Sequence, residues 1–124
     1  MKPALILCDE NTFYRSLSMI IYFDQNMHQL IRLLLVYLLN KDNKLFEEYL
    51  DEGKNMNDII KETVKLNSPV KEIHLYATAR LIGRQINLYK TTDLIHYPVV
   101  GRQDSNHNSH IYLASKNDNF TCLL

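Results

Sequence analysis

The sequence predicts an α+β domain in which helices come first and a small sheet comes last. Up to Gly83, apolar side chains recur at the three- and four-residue spacing of amphipathic helices. After Gly83 they alternate with polar side chains, as they do along strands. Neither a low-complexity linker nor an internal repeat separates the two regions, so we expect one domain over residues 1–124.

Two helices are predicted in the first third of the chain. The segment "NTFYRSLSMIIYF" has its apolar residues at helical spacing, and Asn11 or Thr12 can cap its first turn. The segment "MHQLIRLLLVYLL" is apolar nearly all round. That pattern indicates a central helix that other elements cover well.

Three further helices follow, which brings the expected number to about five. In "DNKLFEEYLDEG", Asp42 is the expected cap and Gly53 the stop. The segment "MNDIIKETVKL" is the next candidate. In "PVKEIHLYATARLIG", Pro69 is expected in the first turn and Gly83 at the end.

The last third of the chain predicts a small, mostly antiparallel sheet. The alternating segment "QINLYKT" predicts a half-buried strand, and "HIYLAS" and "NFTCLL" predict a hairpin across the turn "KNDN". The segment "TTDLIHYPVV" can add a strand, which Pro98 would confine to an edge. The helices are expected to pack on this sheet.

Composition argues against several classes of partner. Lys and Arg together number 14, as do Asp and Glu, so no net charge favours nucleic acid. The longest apolar stretch, residues 33–39, is far shorter than the roughly 20 residues of a membrane span. Cys8 and Cys122 lie at opposite ends of the chain without metal-ligand spacing, so we expect no metal, no cofactor and a cytoplasmic or nuclear location.

The segment "DENTFYRSLS", residues 9–18, resembles a known active-site signature. It is similar to that of the ovarian tumour (OTU) family of papain-like cysteine proteases, most of which remove ubiquitin from proteins. The family signature reads Asp-Gly-Asn-Cys, an aromatic or apolar pair, then Arg-Ala/Ser-Leu/Val-Ser. This chain differs from it only at Glu10 and Thr12.

Three later segments extend the resemblance over almost the whole chain. "MHQLIRLLLVYLL" resembles the family's second helix, where a Leu-Arg pair precedes an apolar run. "EIHLYATARLIGRQINLY" resembles its helix that begins with Glu and leads into the first core strand. "IYLASKNDNFTCLL" has the form of its final strands, the last of which begins His-Tyr-Asn/Asp. The resemblance therefore implies a papain-like OTU fold.

The resemblance also implies which positions would form the catalytic triad. The nucleophilic Cys falls on Thr12, the general-base His on Asn119, and the residue that orients this His on Thr121. All three positions are substituted.

The turn before the nucleophile carries the remaining family positions. The resemblance assigns Asp9 and Asn11 to the shaping of this turn, and Glu10 stands where the family keeps Gly. The resemblance also assigns Glu10 and Asn11 to the oxyanion turn, whose backbone N–H groups would hold the oxyanion in active relatives. Taken alone, Asp-x-Asn before a helix is equally typical of a cap, and an ion pair of Arg15 with Asp9 or Glu10 is an ordinary alternative.

Chemistry predicts that a site of this composition does not cleave. A Thr hydroxyl attacks an amide only when a base takes its proton, and an Asn side chain does not accept a proton near neutral pH. We therefore expect an inactive OTU-like domain that binds ubiquitin, or another protein. The family threads the C-terminal tail of ubiquitin towards the nucleophile, so binding can persist without catalysis.

Two alternatives stay open at this stage. An active thiol isopeptidase would need a relocated nucleophile and base, for which Cys8 and His96 are the candidates, although a buried thiol and an ordinary strand histidine are the simpler interpretations. His107 and His110 flank a polar loop and do not form a metal motif. The second alternative is a decayed structural remnant without a ligand.

Overall fold

The computed structural model describes residues 1–101 and 109–124. Five α-helices precede four strands, with a 3₁₀ turn at Gln25–Met27 and another at Glu47–Tyr49. The helices are α1 (Thr12–Tyr22), α2 (His28–Lys41), α3 (Asn43–Phe46), α4 (Met56–Val64) and α5 (Glu72–Ile82). The strands are β1 (Ile86–Lys90), β2 (Asp93–Tyr97), β3 (Ile111–Lys116) and β4 (Asn119–Cys122). The predicted α+β class and order of elements are confirmed.

The four strands form one mixed sheet in the order β2-β1-β3-β4. β1 pairs with β2 and β3 with β4 in antiparallel fashion, whereas β1 and β3 run parallel. The N-terminal segment extends the β4 edge, because Lys2 and Leu124 exchange backbone hydrogen bonds of 2.9 and 2.8 Å. This pairing carries the chain from the sheet edge directly into the turn before α1.

The core lies between the helices and the face of the sheet that carries Ile86 and Leu88. Phe13 of α1 is fully buried there and meets Phe120 of β4 edge to face, with ring centroids 5.1 Å apart. Aromatic pairs of this geometry contribute about 0.5–1.5 kcal/mol beyond their burial. The contact fixes the start of α1 against the last strand.

The terminal hairpin forms as predicted. Asn117 and Asp118 occupy its turn with φ of 52° and 64°, which suits residues that tolerate the left-handed region. β2 is an edge strand that ends just before Pro98, also as expected. Gly83 ends α5 with φ of 77°, and its N–H donates to the Ala79 carbonyl at 2.8 Å.

The prediction that other elements cover α2 well is wrong for its outer face. Ile31, Leu35 and Leu39 face the core, but Leu33 and Tyr37 are 57% and 63% exposed. The neighbours α1, α4 and α5 all contact this helix from its buried side. Among the helices in the described part of the chain, none combines the length and apolar character needed to cross a bilayer.

One predicted cap and one predicted helix start are also corrected. Asp42 lies at the N-cap position of α3, as predicted, but its side chain makes no capping hydrogen bond; its carboxylate instead accepts from Arg80 Nε of α5 at 3.1 Å. Pro69 lies before α5, which begins at Glu72, because the Lys71 N–H donates to the His74 ring at 2.9 Å and sets the first turn there. A distant arginine thus engages the expected cap of α3, whereas α5 is started by a residue of its own first turn.

Candidate functional site

The turn before α1 is built around an ion pair between Asp9 and Arg15. The Asp9 carboxylate accepts from Arg15 Nε at 3.0 Å and Nη2 at 2.9 Å, and also from the Asn11 N–H at 2.9 Å. The hydrogen bonds from Arg15 lower the pKa of Asp9 to about 2. The expected ion pair is therefore present, and it leaves Glu10 exposed at the tip of the turn.

Asn11 lies at the N-cap position of α1, but its side chain makes no capping hydrogen bond. Its Oδ1 accepts instead from Arg32 Nη2 at 3.0 Å and from the Asn67 N–H at 3.1 Å. The predicted side-chain cap at Asn11 is wrong, because a buried guanidinium and a distant loop compete for the same amide oxygen. Asn11 thereby connects the turn to α2 and to the loop before α5.

Thr12 is the first residue of α1, and it is only 4% exposed. Its Oγ1 accepts a hydrogen bond of 2.8 Å from the Phe120 N–H of β4. The start of α1 and the strand that carries Asn119 therefore meet, although they lie more than 100 residues apart in the chain. Thr12 does not cap the helix, since its oxygen is engaged by β4.

A groove with a volume of about 560 Å³ opens beside this contact. Glu10, Thr12 and Asn119 all line it, facing residues 67–71 of the loop before α5. The floor is apolar and comes from the sheet and α5, with Leu75, Leu88, Ile95 and Phe120. The groove thus combines polar residues of the turn and of β4 with an apolar floor that can hold an extended chain.

Thr121, which the resemblance pairs with the orienting residue of the triad, lies beside this groove and not in its lining. Its Oγ1 donates to the Ala4 carbonyl at 2.8 Å. Asn119 is exposed. Thr121 thus ties β4 to the N-terminal segment.

Neither proposed rescue residue reaches the groove. Cys8 is exposed in the segment before the turn and is not part of the lining. On β2, Ile95 and Tyr97 face the groove, and the intervening His96 points to the other side of the sheet, where its ring contacts Asn87 of β1. Strand alternation therefore separates His96 from Thr12.

The second cysteine, Cys122, is not a candidate nucleophile either. Cys122 is fully buried in the core, and this burial raises the pKa of its thiol. His110 contacts Asn87 on the far side of the sheet, and His107 lies outside the described residues. Over residues 1–101 and 109–124, no group of three or more His, Cys, Asp or Glu side chains is arranged to hold a metal ion.

Sequence reasoning missed two buried polar residues behind the site. Arg32 of α2 and His74 of α5 are each only 2% exposed. Arg32 donates to the Thr63 carbonyl at 2.9 Å, and His74 Nε2 lies 2.8 Å from the Thr63 hydroxyl. An Arg within an otherwise apolar helical run is the one signal in the sequence that points to this region.

Comparison with solved structures decides the fold. The OTU domain of OTUD1 superposes with a TM-score of 0.82 and 20% identity, covering 97% of this chain and 83% of that one. The viral OTU domain protease from Qalyub virus gives a TM-score of 0.82 at 17% identity, with 99% and 83% covered. This chain has the OTU fold. The Hazara virus OTU bound to ubiquitin follows, with a TM-score of 0.77, 14% identity, and 99% and 80% covered.

No protein-family profile matches the sequence, and no curated protein matches it. The OTU fold is thus carried by geometry at low sequence identity. Within this fold, the residues that the resemblance pairs with the nucleophile and the base, Thr12 and Asn119, border one groove. Their chemical roles stay predictions.

Proposed function

We propose that this OTU-fold domain binds ubiquitin or a ubiquitin-like protein through its groove and does not hydrolyse it. The observation that carries the proposal is the state of the Thr12 hydroxyl, which is buried and accepts a hydrogen bond from the Phe120 N–H. OTU domains bound to ubiquitin are among the structures similar to this one. This likeness supports ubiquitin as the first ligand to test.

Catalysis would require the hydroxyl to lose its proton to a base during attack. Asn119, which lines the same groove, carries a neutral amide that cannot take this proton. The Thr12 oxygen also directs electron density at a backbone N–H, which lowers its nucleophilicity. Backbone donors alone leave about 10³- to 10⁴-fold acceleration over water, far too little for turnover of a protein substrate.

Binding requires less of the site than catalysis does. The apolar floor formed by Leu75, Leu88 and Ile95 stays open, and the rest of the lining carries side chains of both charge signs. An extended, flexible C-terminal tail such as that of ubiquitin can lie along a groove of this kind. The groove can therefore keep its ligand after the nucleophile is lost.

Two measurements on the same protein test the proposal. Ubiquitin carrying a C-terminal electrophile should form no covalent adduct, as read by intact mass. Titration of labelled protein with unmodified ubiquitin should shift NMR signals of groove residues. An adduct mapped to Cys8 would establish a working thiol protease instead, and no adduct with no shifts would indicate a remnant without this ligand.

Adjacent residues of β2 provide a matched pair of variants. Ile95 lines the groove, whereas Leu94 is exposed on the opposite face of the strand. Ile95→Asp should abolish the ubiquitin shifts, and Leu94→Asp should leave them in place. Equal loss in both variants would mean that the ligand does not use the groove.

Restoring the two lost groups tests the assignment of Thr12 and Asn119 directly. The double variant Thr12→Cys with Asn119→His should bring thiol and imidazole within reach and form an adduct with the electrophilic ubiquitin. The single variant Asn119→His should not form one, because the hydroxyl remains. We expect the restored site to be weak, since Thr121 is engaged with Ala4 and cannot orient the imidazole. Failure of the folded double variant to react would show that the assignment is wrong.

A further inference from the structure

Arg32 is a buried cation in the middle of α2. Its Nη1 donates to the Thr63 carbonyl at 2.9 Å and to Ser68 Oγ at 2.7 Å, and its Nη2 donates to Asn11 Oδ1 at 3.0 Å. Its guanidinium carbon lies 3.9 Å from the centroid of the Tyr14 ring. Among the described residues, no carboxylate forms an ion pair with it.

A buried guanidinium without a carboxylate partner lowers the stability of the fold relative to an apolar side chain. Burying a charge without an opposite charge carries a large desolvation penalty, and an apolar side chain of similar volume would pack at this place without it. The Nε of Arg32 is buried and lacks a hydrogen-bond partner among the described residues, which adds to the cost. The guanidinium fork must therefore contribute through its hydrogen bonds, which an apolar side chain cannot form.

The fork joins two segments that line the groove. One is the turn before α1, through Asn11, and the other is the loop before α5, through Ser68. Asn11 Oδ1 accepts from Arg32 and from the Asn67 N–H together, and Asn11 Nδ2 donates to Asn67 Oδ1 at 3.0 Å. Asn67 holds a left-handed backbone with φ of 65°, so its position depends on these hydrogen bonds.

We propose that Arg32 is a positioning residue that sets the separation between the turn and the loop where both border the groove. Glu10 and Thr12 of the turn and residues 67–71 of the loop all belong to the lining. The planar fork reaches acceptors on both segments at once, which a Lys ammonium cannot do. The effect on ligand binding rests on the proposed function, whereas the effect on the loop does not.

The Asn67 amide is a direct reporter of this role, because its N–H donates to the oxygen that Arg32 holds. In Arg32→Met, hydrogen exchange of this amide should rise about tenfold or more relative to the Leu88 amide in β1. Leu35→Ala is the matched control, since Leu35 is fully buried on the same helix but has no polar group that could hydrogen-bond to either segment. It should raise exchange at both amides together.

Two further variants keep the test decisive. Arg32→Lys should resemble Arg32→Met if the fork matters, and should restore slow exchange if charge alone matters, which would overturn the proposal. Ser68→Ala removes one hydrogen bond and leaves the core intact, so it should raise Asn67 exchange selectively even if the Arg32 variants do not fold. Unchanged relative exchange in Ser68→Ala and in every folded Arg32 variant would also overturn it.

Ubiquitin affinity separates this inference from the proposed function. If ubiquitin binds in the groove, Arg32→Met should raise the dissociation constant for ubiquitin about tenfold, whereas Leu35→Ala should change it little. If wild-type protein does not bind ubiquitin, the proposed function fails. The exchange rates still decide the role of Arg32 in that case. Affinity that is unchanged in Arg32→Met despite a loosened loop would refute the link to binding.

Discussion

The neutral state of His74 should make this protein sensitive to mild acid. The ring is only 2% exposed, and Nδ1 accepts from the Lys71 N–H at 2.9 Å. Nε2 must then carry the proton and donate to Thr63 Oγ1 at 2.8 Å, and that hydroxyl donates to the Ile59 carbonyl at 2.7 Å. The whole chain of hydrogen bonds requires a neutral imidazole, because a protonated Nδ1 would face the Lys71 N–H.

The size of the effect follows from the pKa of His74, which burial lowers from 6.5 to about 4. The charges of Arg32 and Lys71 contribute to this lowering of the pKa, and Glu62 acts in the opposite direction. A difference of this size corresponds to about 3 kcal/mol. Between these two pKa values the unfolded chain binds more protons than the native one. The stabilisation is therefore complete above pH 6.5 and is lost as the pH falls through about 4.

Urea unfolding of wild type and His74→Gln at intervals between pH 7 and pH 4 measures this contribution. The variant is less stable at pH 7, but it lacks the titrating ring, so its free energy of unfolding should fall less on acidification. The gap between the two proteins should narrow by about 3 kcal/mol. Burial also lowers the pKa of His28, but His28 is present in both proteins and cancels. Asp9, with a pKa of about 2, titrates below this window.

A constant gap between wild type and His74→Gln across this range would refute the reasoning. It would mean that the folded and unfolded proteins protonate His74 alike, and hence that the ring is hydrated in the native state. An NMR titration of the His74 ring checks the same point independently. Its signals should not move between pH 7 and pH 5.

Three further predictions concern single side chains. Arg15→Met should lower the free energy of unfolding by about 1–2 kcal/mol in urea melts, because it leaves the partly exposed Asp9 carboxylate without its ion-pair partner. Equal stability of the two proteins would contradict this. A thiol reagent should label Cys8 within the native protein and Cys122 only after unfolding, as read by peptide mass. Asp118→Gly should raise the free energy of unfolding by about 0.5 kcal/mol and so raise the melting temperature, because glycine fits the positive φ of the hairpin turn; a lower melting temperature would refute it.

Elements whose signals are local were predictable from the sequence. The start of α1 and the terminal hairpin both follow from residues that lie within a few positions of one another. The contact between Thr12 and Phe120 joins the two ends of the chain, and no periodicity or turn pattern specifies it. From the sequence, only the resemblance of both segments to one family predicted that these positions lie close together.

The two capping errors share one physical cause. Asn11 and Asp42 are good capping residues, yet Arg32 and Arg80 claim their side chains, because a hydrogen bond to a guanidinium is stronger than one to a backbone N–H. These partners lie 21 and 38 residues away in sequence. The error on α2 has a different cause: its apolar character predicted a well-covered helix, but apolar residues are also common on protein surfaces.

Thr12, which the resemblance pairs with a nucleophilic Cys, contributes a hydrogen bond to the fold at the start of α1. A hydroxyl oxygen accepts a hydrogen bond from a backbone N–H well, whereas a thiol sulfur accepts one weakly. With Thr in place, the N–H of Phe120 is satisfied at 2.8 Å and the helix start is fixed to the last strand. The same position in an active relative must leave its sulfur free for attack and for a neighbouring base. Under the proposed function, Thr12 therefore serves to hold the start of α1 against β4 and not to supply a nucleophile.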